Sequence, residues 1–351
     1  MRILVATDAW HPQVNGVVRS LTHMAEAARA FGAEVNFLTP QSFRTFAMPS
    51  YPDLRLALPY PAKIARLIAE ARPDSIHIAT EGPIGLLVRR YCRQYEIPFT
   101  TSFHTRFPEY ISARLPIPEG WIWAALRWFH GASQAVMAAT PALAGELRSR
   151  GFCNVVLWPR GVDPSQFHPR AVDLGLPRPV FLCVGRLAVE KNLEAFLDLD
   201  LPGTKLVVGD GPARAALTRK YSQAVFLGAR QGEELGEAYA AADVFVFPSK
   251  TDTFGLVLLE ALASGLPVAA FPVTGPRDVI GDAPVGALNE DLRLACLAAL
   301  TISPRACLEF AAKHTWEASA RAFVENMADI RPCDPTEEVV QFTVNHPRFV
   351  A

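Results

Sequence analysis

Lysine is scarce in this chain, with six among 351 residues, so positive charge rests almost wholly on arginine and each lysine near a candidate anion site carries separate weight. Nor is there any run near the roughly 18 uncharged apolar residues that a membrane-spanning helix needs, and Met1-Arg2 opens a strand-like run rather than a secretory leader. A cytoplasmic protein is therefore expected. Six cysteines, Cys92, Cys153, Cys183, Cys296, Cys307 and Cys333, include no C-x-x-C pair, which argues against a disulfide framework or a zinc cluster. They read as small buried apolar residues. No G-x-G-x-x-G follows the first strand-like run, which removes the fingerprint of a nicotinamide dehydrogenase. Short-period repeats and low-complexity tracts are also missing. The net charge of -1 excludes a generally basic nucleic-acid binder. It conceals an asymmetry: residues 1–175 carry 18 Lys and Arg against 13 Asp and Glu, a surplus of +5, while residues 176–351 carry 16 against 22, or -6.

What is present is a globular composition, 50% apolar and 20% charged, at a length that favours two domains of roughly 150 residues each. Met1–Thr7 is a short hydrophobic β-type run, Asp8–Gly16 is turn-rich, and Val17–Phe31 has helical spacing that stops at Gly32. Strand-like runs recur at Glu34–Thr39, Ser75–Ala79, Phe99–Phe103, Ala135–Ala139 and Val155–Trp158, with helix-length segments between them. Residues 159–179 hold five prolines and no long periodic stretch, which marks a crossing between domains. The same alternation restarts with strands expected at Val180–Val184, Lys205–Val208, Ala224–Leu227, Val244–Phe247 and Val268–Phe271. Tandem α/β units of this kind predict two doubly wound, Rossmann-like domains with a cleft between them, at 1–170 and 171–315. A last helix and polar tail over 316–351 is a candidate to cross back to the first domain. Ligands of such sheets bind beyond the carboxyl ends of strands, so the loops there carry the functional argument.

Gly185-Arg186-Leu187-Ala188-Val189-Glu190-Lys191-Asn192 follows the first strand of the second domain. Two cations and free helix amides there suit a diphosphate leaving group, although a solvated basic loop has the same composition. Gly209-Asp210-Gly211-Pro212 permits a tight backbone turn near a ligand, or is a plain strand-to-helix turn. In the segment from Phe247 to Ala261, Asp252 precedes a helix and Glu260 lies eight residues later on a similar face. The first acid suits sugar hydroxyls, the amides around Phe254, Gly255, Leu256 and Val257 suit phosphate, and the second acid suits ribose. An N-capping Asp followed by one surface Glu is the plainer alternative. Asp198-x-Asp200 invites a metal-binding reading, but it sits at a helix end before Pro202-Gly203, away from the strand ends that hold ligands.

The ordered set NGVVRSL, SFHTRFPEY, GVDPSQF, VGRLAVEKNL, VGDGP and PSKTDTFGLVLLEALASGLPV resembles the retaining glycosyltransferases of family 4, over roughly residues 1–330. The resemblance implies the GT-B fold, an acceptor-binding first domain and a second domain that binds a nucleotide-diphosphate sugar. It implies that Arg186 and Lys191 bind the donor diphosphate and replace a metal's charge, so that neither metal nor cofactor is needed. Asp252 stands where the family has the first Glu of its E-x7-E pair, which bears on reach and donor preference. Glu260 is implied for the ribose, and Gly209, Gly211, Gly228, Ala229 and Arg230 for the donor, the last three beside the nucleobase. Gly16, preceded here by Asn15 where the family often has a second glycine, is implied to let the first domain's loop approach the donor phosphate. His104, at the end of a first-domain strand, matches a histidine that lies near the transferred sugar; alone, such a histidine is more often structural.

Three of the six tryptophans fall in Trp121-Ile122-Trp123-Ala124-Ala125-Leu126-Arg127-Trp128-Phe129. This segment reads as a core helix, or as a membrane-interface or lipid-acceptor element with Arg66, Arg106, Arg114 and Arg127 favouring anionic headgroups at the inner face of the cell membrane. The TDTFG run and Phe271–Val279 resemble bacterial members that glycosylate diacylglycerol or phosphoinositide-type lipids from GDP-mannose or UDP-sugars. A nucleotide-sugar epimerase, a sugar phosphorylase, a transferase to a soluble saccharide and a non-catalytic binding protein are the competing readings.

Overall fold

The computed structural model describes residues 1–11, 16–48, 51–104, 118–252 and 254–328, which fall into two units. Among the described residues the first comprises Met1–Trp158 and Ala320–Ala328, and the second Pro159–Ser319. The expected boundary at 170 thus moves to Trp158. Residues just after Trp158 fold with the second sheet, because Val162 bridges Thr315 and the Phe167 ring meets Tyr239 edge-on at 5.5 Å.

Described strands of the first unit are β1 (Arg2–Ala6), β2 (Glu34–Leu38), β3 (Thr45–Met48), β4 (Tyr51–Ala57), β5 (Ser75–Ile78), β6 (Phe99–Ser102), β7 (Ala135–Ala138) and β8 (Val155–Leu157). Six form a parallel sheet in the order β2-β1-β5-β6-β7-β8, while β3 and β4 pair as an antiparallel hairpin that the periodicity did not announce. Alternate side chains serve opposite faces. Leu4 and Ala6 of β1 pack with Ile64 and Ile68 of helix Pro61–Ala71 and with Ile84 and Val88 of helix Pro83–Gln94. Ile3 and Val5 face the other way, against Leu21 and Met24 of helix Gly16–Ala28 and against Ala320, Phe323 and Met327 of helix Trp316–Ala328.

The second unit adds β9 (Val180–Val184), β10 (Thr204–Val208), β11 (Val225–Gly228), β12 (Val244–Phe247), β13 (Val268–Ala270) and β14 (Gly286–Leu288), all parallel, in the order β11-β10-β9-β12-β13-β14. Phe181, Val207, Val244 and Val246 bury one face, and Leu182, Leu206, Phe245 and Phe247 the other. Burial on both faces is what makes these strands near-continuous apolar runs. Cys92, Cys183, Cys296 and Cys307 are buried in the cores, which pushes their thiols up to about 12, 12, 12 and 11. They are inert packing residues at neutral pH.

Candidate active site

In the second sheet β9 and β12 are neighbours whose connections leave in opposite directions, β9 leading to β10 on one side and β12 to β13 on the other. Such a switch point opens a crevice beyond the carboxyl ends of the two strands. Residues 185–192 leave β9 there and residues 248–255 leave β12, and the two loops are tied together. Lys191 Nζ is ion-paired with Asp252 Oδ1, Asn192 Nδ2 donates to Pro248 O at 3.1 Å, and Thr251 Oγ1 donates to Glu190 O at 3.4 Å. Arg186, 44% exposed at its side chain, is ion-paired with Glu190.

The other Asp252 oxygen, Oδ2, and the hydroxyl of Ser249 are buried without a hydrogen-bond partner among the described residues. An unsatisfied buried polar atom costs about 1–3 kcal/mol, a penalty that a hydroxylated ligand removes. Both atoms belong to the loop that leaves β12, where Asp252 is paired with Lys191. The sequence singles out Asp252 as a candidate, whereas Ser249 becomes one only through its buried, unsatisfied hydroxyl.

Gly209 and Gly211 have a structural duty of their own. A Cβ on Gly209 would stand 1.8 Å from Gly185 O, and one on Gly211 2.5 Å from Leu187 O. The loops after β9 and β10 touch backbone to backbone, with Leu187 N donating to Asp210 O at 2.8 Å and Ala213 N to Leu187 O at 2.9 Å. Gly209→Ala, at φ 143° and against a carbonyl, is expected to destabilise the protein by about 3 kcal/mol or more, read as a lower denaturant midpoint. An unchanged midpoint would disprove this packing account.

Gly228 ends β11 at φ 77°, its carbonyl accepting Gly209 N at 2.8 Å, and Ala229 and Arg230 follow exposed, Arg230 bonded to Glu234 at 3.0 Å. Gly255, at φ 79°, is the left-handed entry to helix Leu256–Ala263, whose first amides have no partner within the helix. Phe254 and Val257 pack partly into the core beneath. Glu260 is no surface residue: it is 3% exposed and its carboxylate accepts the Tyr239 hydroxyl at 2.9 Å. Asp198 accepts the Tyr221 hydroxyl at 2.7 Å and, with Asp200, lies before β10, away from the strand ends that form the crevice.

The first sheet has its own switch point, between β1 and β5. Asp8 follows β1, and its buried carboxylate accepts Ile84 N at 2.8 Å, Gly85 N at 3.2 Å and Thr80 Oγ1 at 3.0 Å, capping helix Pro83–Gln94 from another element. Burial raises its pKa against the pull of those donors. Glu81, after β5, meets His130 Nε2 at 3.2 Å. His104, after β6, is half-buried with Nε2 2.9 Å from Ser102 Oγ. The sequence singles out His104 as a candidate; Asp8, Glu81 and His130 join the candidates only through the contacts seen here. Gly16 is the exposed first residue of helix Gly16–Ala28; Asn15, Arg106 and Arg114 lie outside the described residues.

The tryptophan segment forms one helix, Glu119–His130, with a buried and an exposed side. Ile122, Trp123 and Leu126 enter a core cluster, whereas Trp121 and Trp128 are 75% and 60% exposed. The Arg89 guanidinium stacks 3.9 Å from the Trp128 ring centroid and donates to Trp128 O at 2.6 Å. Arg66 pairs with Glu70 at 3.5 Å, and Arg127 donates to Arg150 O at 3.4 Å.

Residues 14–166 match the family model described as Glycosyltransferase Family 4, and residues 178–301 that of Glycosyl transferases group 1. A GDP-mannose-dependent alpha-mannosyltransferase of Mycobacterium tuberculosis (strain CDC 1551 / Oshkosh) is 33% identical over 308 residues, covering 80% of this chain and 81% of that one. The chain belongs to glycosyltransferase family 4. This glycosyltransferase is also similar to an Alpha-monoglucosyldiacylglycerol synthase of Streptococcus pneumoniae (strain ATCC BAA-255 / R6), 27% identical over 92% of this chain and 83% of that one. Among solved structures, the sucrose-phosphate synthase of Thermosynechococcus elongatus matches with a TM-score of 0.76 at 21% identity, over 92% of this chain and 97% of that one. The two six-stranded parallel sheets are those of the GT-B fold.

Proposed function

We propose that this glycosyltransferase moves a hexosyl unit from a nucleotide-diphosphate sugar to a hydroxyl of a membrane lipid, of diacylglycerol or phosphoinositide type, with retention of anomeric configuration. The observation that carries the reading is the Lys191–Asp252 pair beyond the ends of β9 and β12, with Asp252 Oδ2 and, on the same loop, Ser249 Oγ buried and unsatisfied among the described residues. Arg186 and Lys191 take the donor diphosphate and oppose the charge that grows on it as the anomeric C–O bond breaks. Helix Leu256–Ala263 turns its first amides to phosphate, Asp252 and Ser249 hold sugar hydroxyls, and Glu260 serves the ribose. The acceptor oxygen bonds to the anomeric carbon on the face the diphosphate leaves, and a phosphate oxygen takes its proton. No metal is required for this charge balance.

The second unit binds the donor, and the first, with His104 near the transferred sugar, binds the acceptor. GDP-mannose in the name of one relative and diacylglycerol in that of another support a lipid acceptor and one of two donor classes. Exposed Trp121 and Trp128 on a helix of the arginine-rich half suit an anionic bilayer surface and support a peripheral location at the inner face of the membrane.

Calorimetry with GDP and UDP, followed by the preferred nucleotide's sugars supplied with vesicles of bacterial lipid, tests the whole scheme by mass spectrometry of products. Expected are binding of one nucleotide at least tenfold tighter and a hexose-shifted lipid, with product yield and vesicle co-sedimentation both falling in Trp121→Ala/Trp128→Ala. Nucleotide binding without lipid product would move the acceptor to a soluble saccharide, and no nucleotide binding would overturn the donor site.

A further inference from the structure

The loops after β1 and β5 bring two carboxylates to the switch point of the first sheet, and the two are employed differently. Asp8 is fully taken: Oδ1 accepts Ile84 N at 2.8 Å, and Oδ2 accepts Gly85 N at 3.2 Å and the Thr80 hydroxyl at 3.0 Å. Glu81 has one oxygen engaged, Oε1, which meets His130 Nε2 at 3.2 Å. Its Oε2 has no hydrogen-bond partner among the described residues, and the side chain is 12% exposed. The backbone around Glu81 is closely packed, because a Cβ on Gly82 would stand 2.4 Å from the Asp8 carboxyl carbon and one on Gly85 2.0 Å from Thr80 O.

Behind Glu81 a buried chain of contacts fixes the histidine. His130 Nδ1 lies 2.9 Å from Thr101 Oγ1, Thr101 Oγ1 3.1 Å from Ser133 Oγ, and Ser133 Oγ 2.7 Å from His130 O and 3.2 Å from Ala135 O. Carbonyls only accept, so the single Ser133 hydrogen goes to them and Ser133 accepts from Thr101. Thr101, its hydrogen used, accepts from His130, which makes Nδ1 an N–H. Nε2 then faces Glu81 Oε1, and two bare acceptors repel at that distance, so a hydrogen stands between them. The ring is fully buried, with Phe103, Phe129 and Phe152 centroids 6.0, 5.1 and 5.8 Å away, and turning it would strip both nitrogens of their partners. Oε1 is thereby committed to His130, and Oε2 is the oxygen left for a ligand.

We propose that Glu81 belongs to the acceptor subsite: His130 holds its Oε1 so that Oε2 accepts a hydrogen bond from a hydroxyl of the polyol that receives the sugar. This rests on the reading of the first unit as the acceptor unit, and it uses residues of that unit alone. Ligands of a doubly wound sheet bind at the switch point, beyond the carboxyl ends of the strands, which is where β1 and β5 end. A carboxylate oxygen with spare capacity there suits a hydroxyl donor. His130, Thr101 and Ser133 touch no substrate and are positioning residues.

Initial rates of the full chain with its preferred nucleotide sugar, measured on dihexanoylglycerol, dihexanoyl phosphatidylinositol and free mannose, test this and separate a lipid headgroup from a soluble saccharide carrying the same hydroxyls. In Glu81→Gln the amide oxygen still accepts from His130, while an NH2 group replaces Oε2 and the charge is lost. For the acceptor that the unmodified protein uses, this variant is expected to raise KM by about tenfold to a hundredfold, with KM for the donor unchanged within about twofold. His130→Phe fills the same space without holding Oε1 and is expected to raise acceptor KM by about threefold to tenfold. His130→Gln, whose amide donates to Glu81 and accepts from Thr101, is expected to recover most of that rise, as a space-filling role would not require. Glu81→Gln carries the test by itself should His130→Phe not fold. An acceptor KM like the parent's in Glu81→Gln overturns the proposal and leaves the acceptor reading of the first unit standing. A donor KM that rises as much as the acceptor KM overturns it too, since Glu81 then supports the fold rather than the acceptor. Transfer to none of the three, with nucleotide still bound, overturns the acceptor reading and this proposal with it.

Discussion

Arg186→Ala is expected to lower kcat by about a hundredfold to a thousandfold while leaving the melting transition close to that of the parent. The guanidinium is 44% exposed and ion-paired with Glu190 on the same loop, and pairs of that kind contribute only about 0–1 kcal/mol. Its proposed task arises in the transition state, when charge gathers on the leaving diphosphate, and removing one such donor from a preorganised site has about the stated effect on rate. Lys191→Ala should match it in kcat but not in stability, because Asp252, already holding one unsatisfied oxygen, loses its cation. Since both cations serve one leaving group, the double variant should fall short of the product of the single losses. Initial rates with the preferred nucleotide sugar provide the check. Turnover like the parent's in Arg186→Ala would remove that residue from the chemistry, and strict multiplicativity would mean that the two cations act on different groups.

The strands with β-branched or aromatic runs, such as Val180–Val184 and Val244–Phe247, stand in the structure within a residue or so of their expected ends, because burial on both sheet faces imposes an uninterrupted apolar stretch. Gly286–Leu288 has no such run, and the β3 and β4 hairpin is interrupted in sequence by Pro49 and Pro52, so neither had a periodic signal to read. The candidate site divides along similar lines. Arg186, Lys191 and Asp252 are legible because a doubly wound sheet places ligands at strand ends. That Lys191 and Asp252 meet across 61 residues is not, since it depends on β9 and β12 being neighbours in the sheet order. His77, Asp8 and Glu81 were passed over for the same reason: their importance lies in partners from other strands and helices, His77 with Ser102, Asp8 with the Ile84 amide, Glu81 with His130.

Glu260 is where fold and function are most tightly joined, and two substitutions separate them. Buried to 3% exposure, its carboxylate takes the Tyr239 hydroxyl at 2.9 Å, so Glu260→Ala leaves a fully buried hydroxyl without that acceptor and a void beside it. The expected cost is about 2–4 kcal/mol in denaturant unfolding. Glu260→Gln keeps an oxygen for Tyr239 and nearly the same volume, so its unfolding should stay within about 1 kcal/mol of the parent. What it loses is charge, and a hydrogen bond to a charged group is worth about 1.5–3 kcal/mol, so nucleotide binding should weaken by about tenfold to a hundredfold if Glu260 serves the ribose. Tyr239→Phe completes the comparison, removing the structural bond while leaving the carboxylate for the ligand. Glu260→Gln binding nucleotide like the parent would confine Glu260 to the core; Glu260→Ala unfolding like the parent would show that the Tyr239 bond holds nothing together.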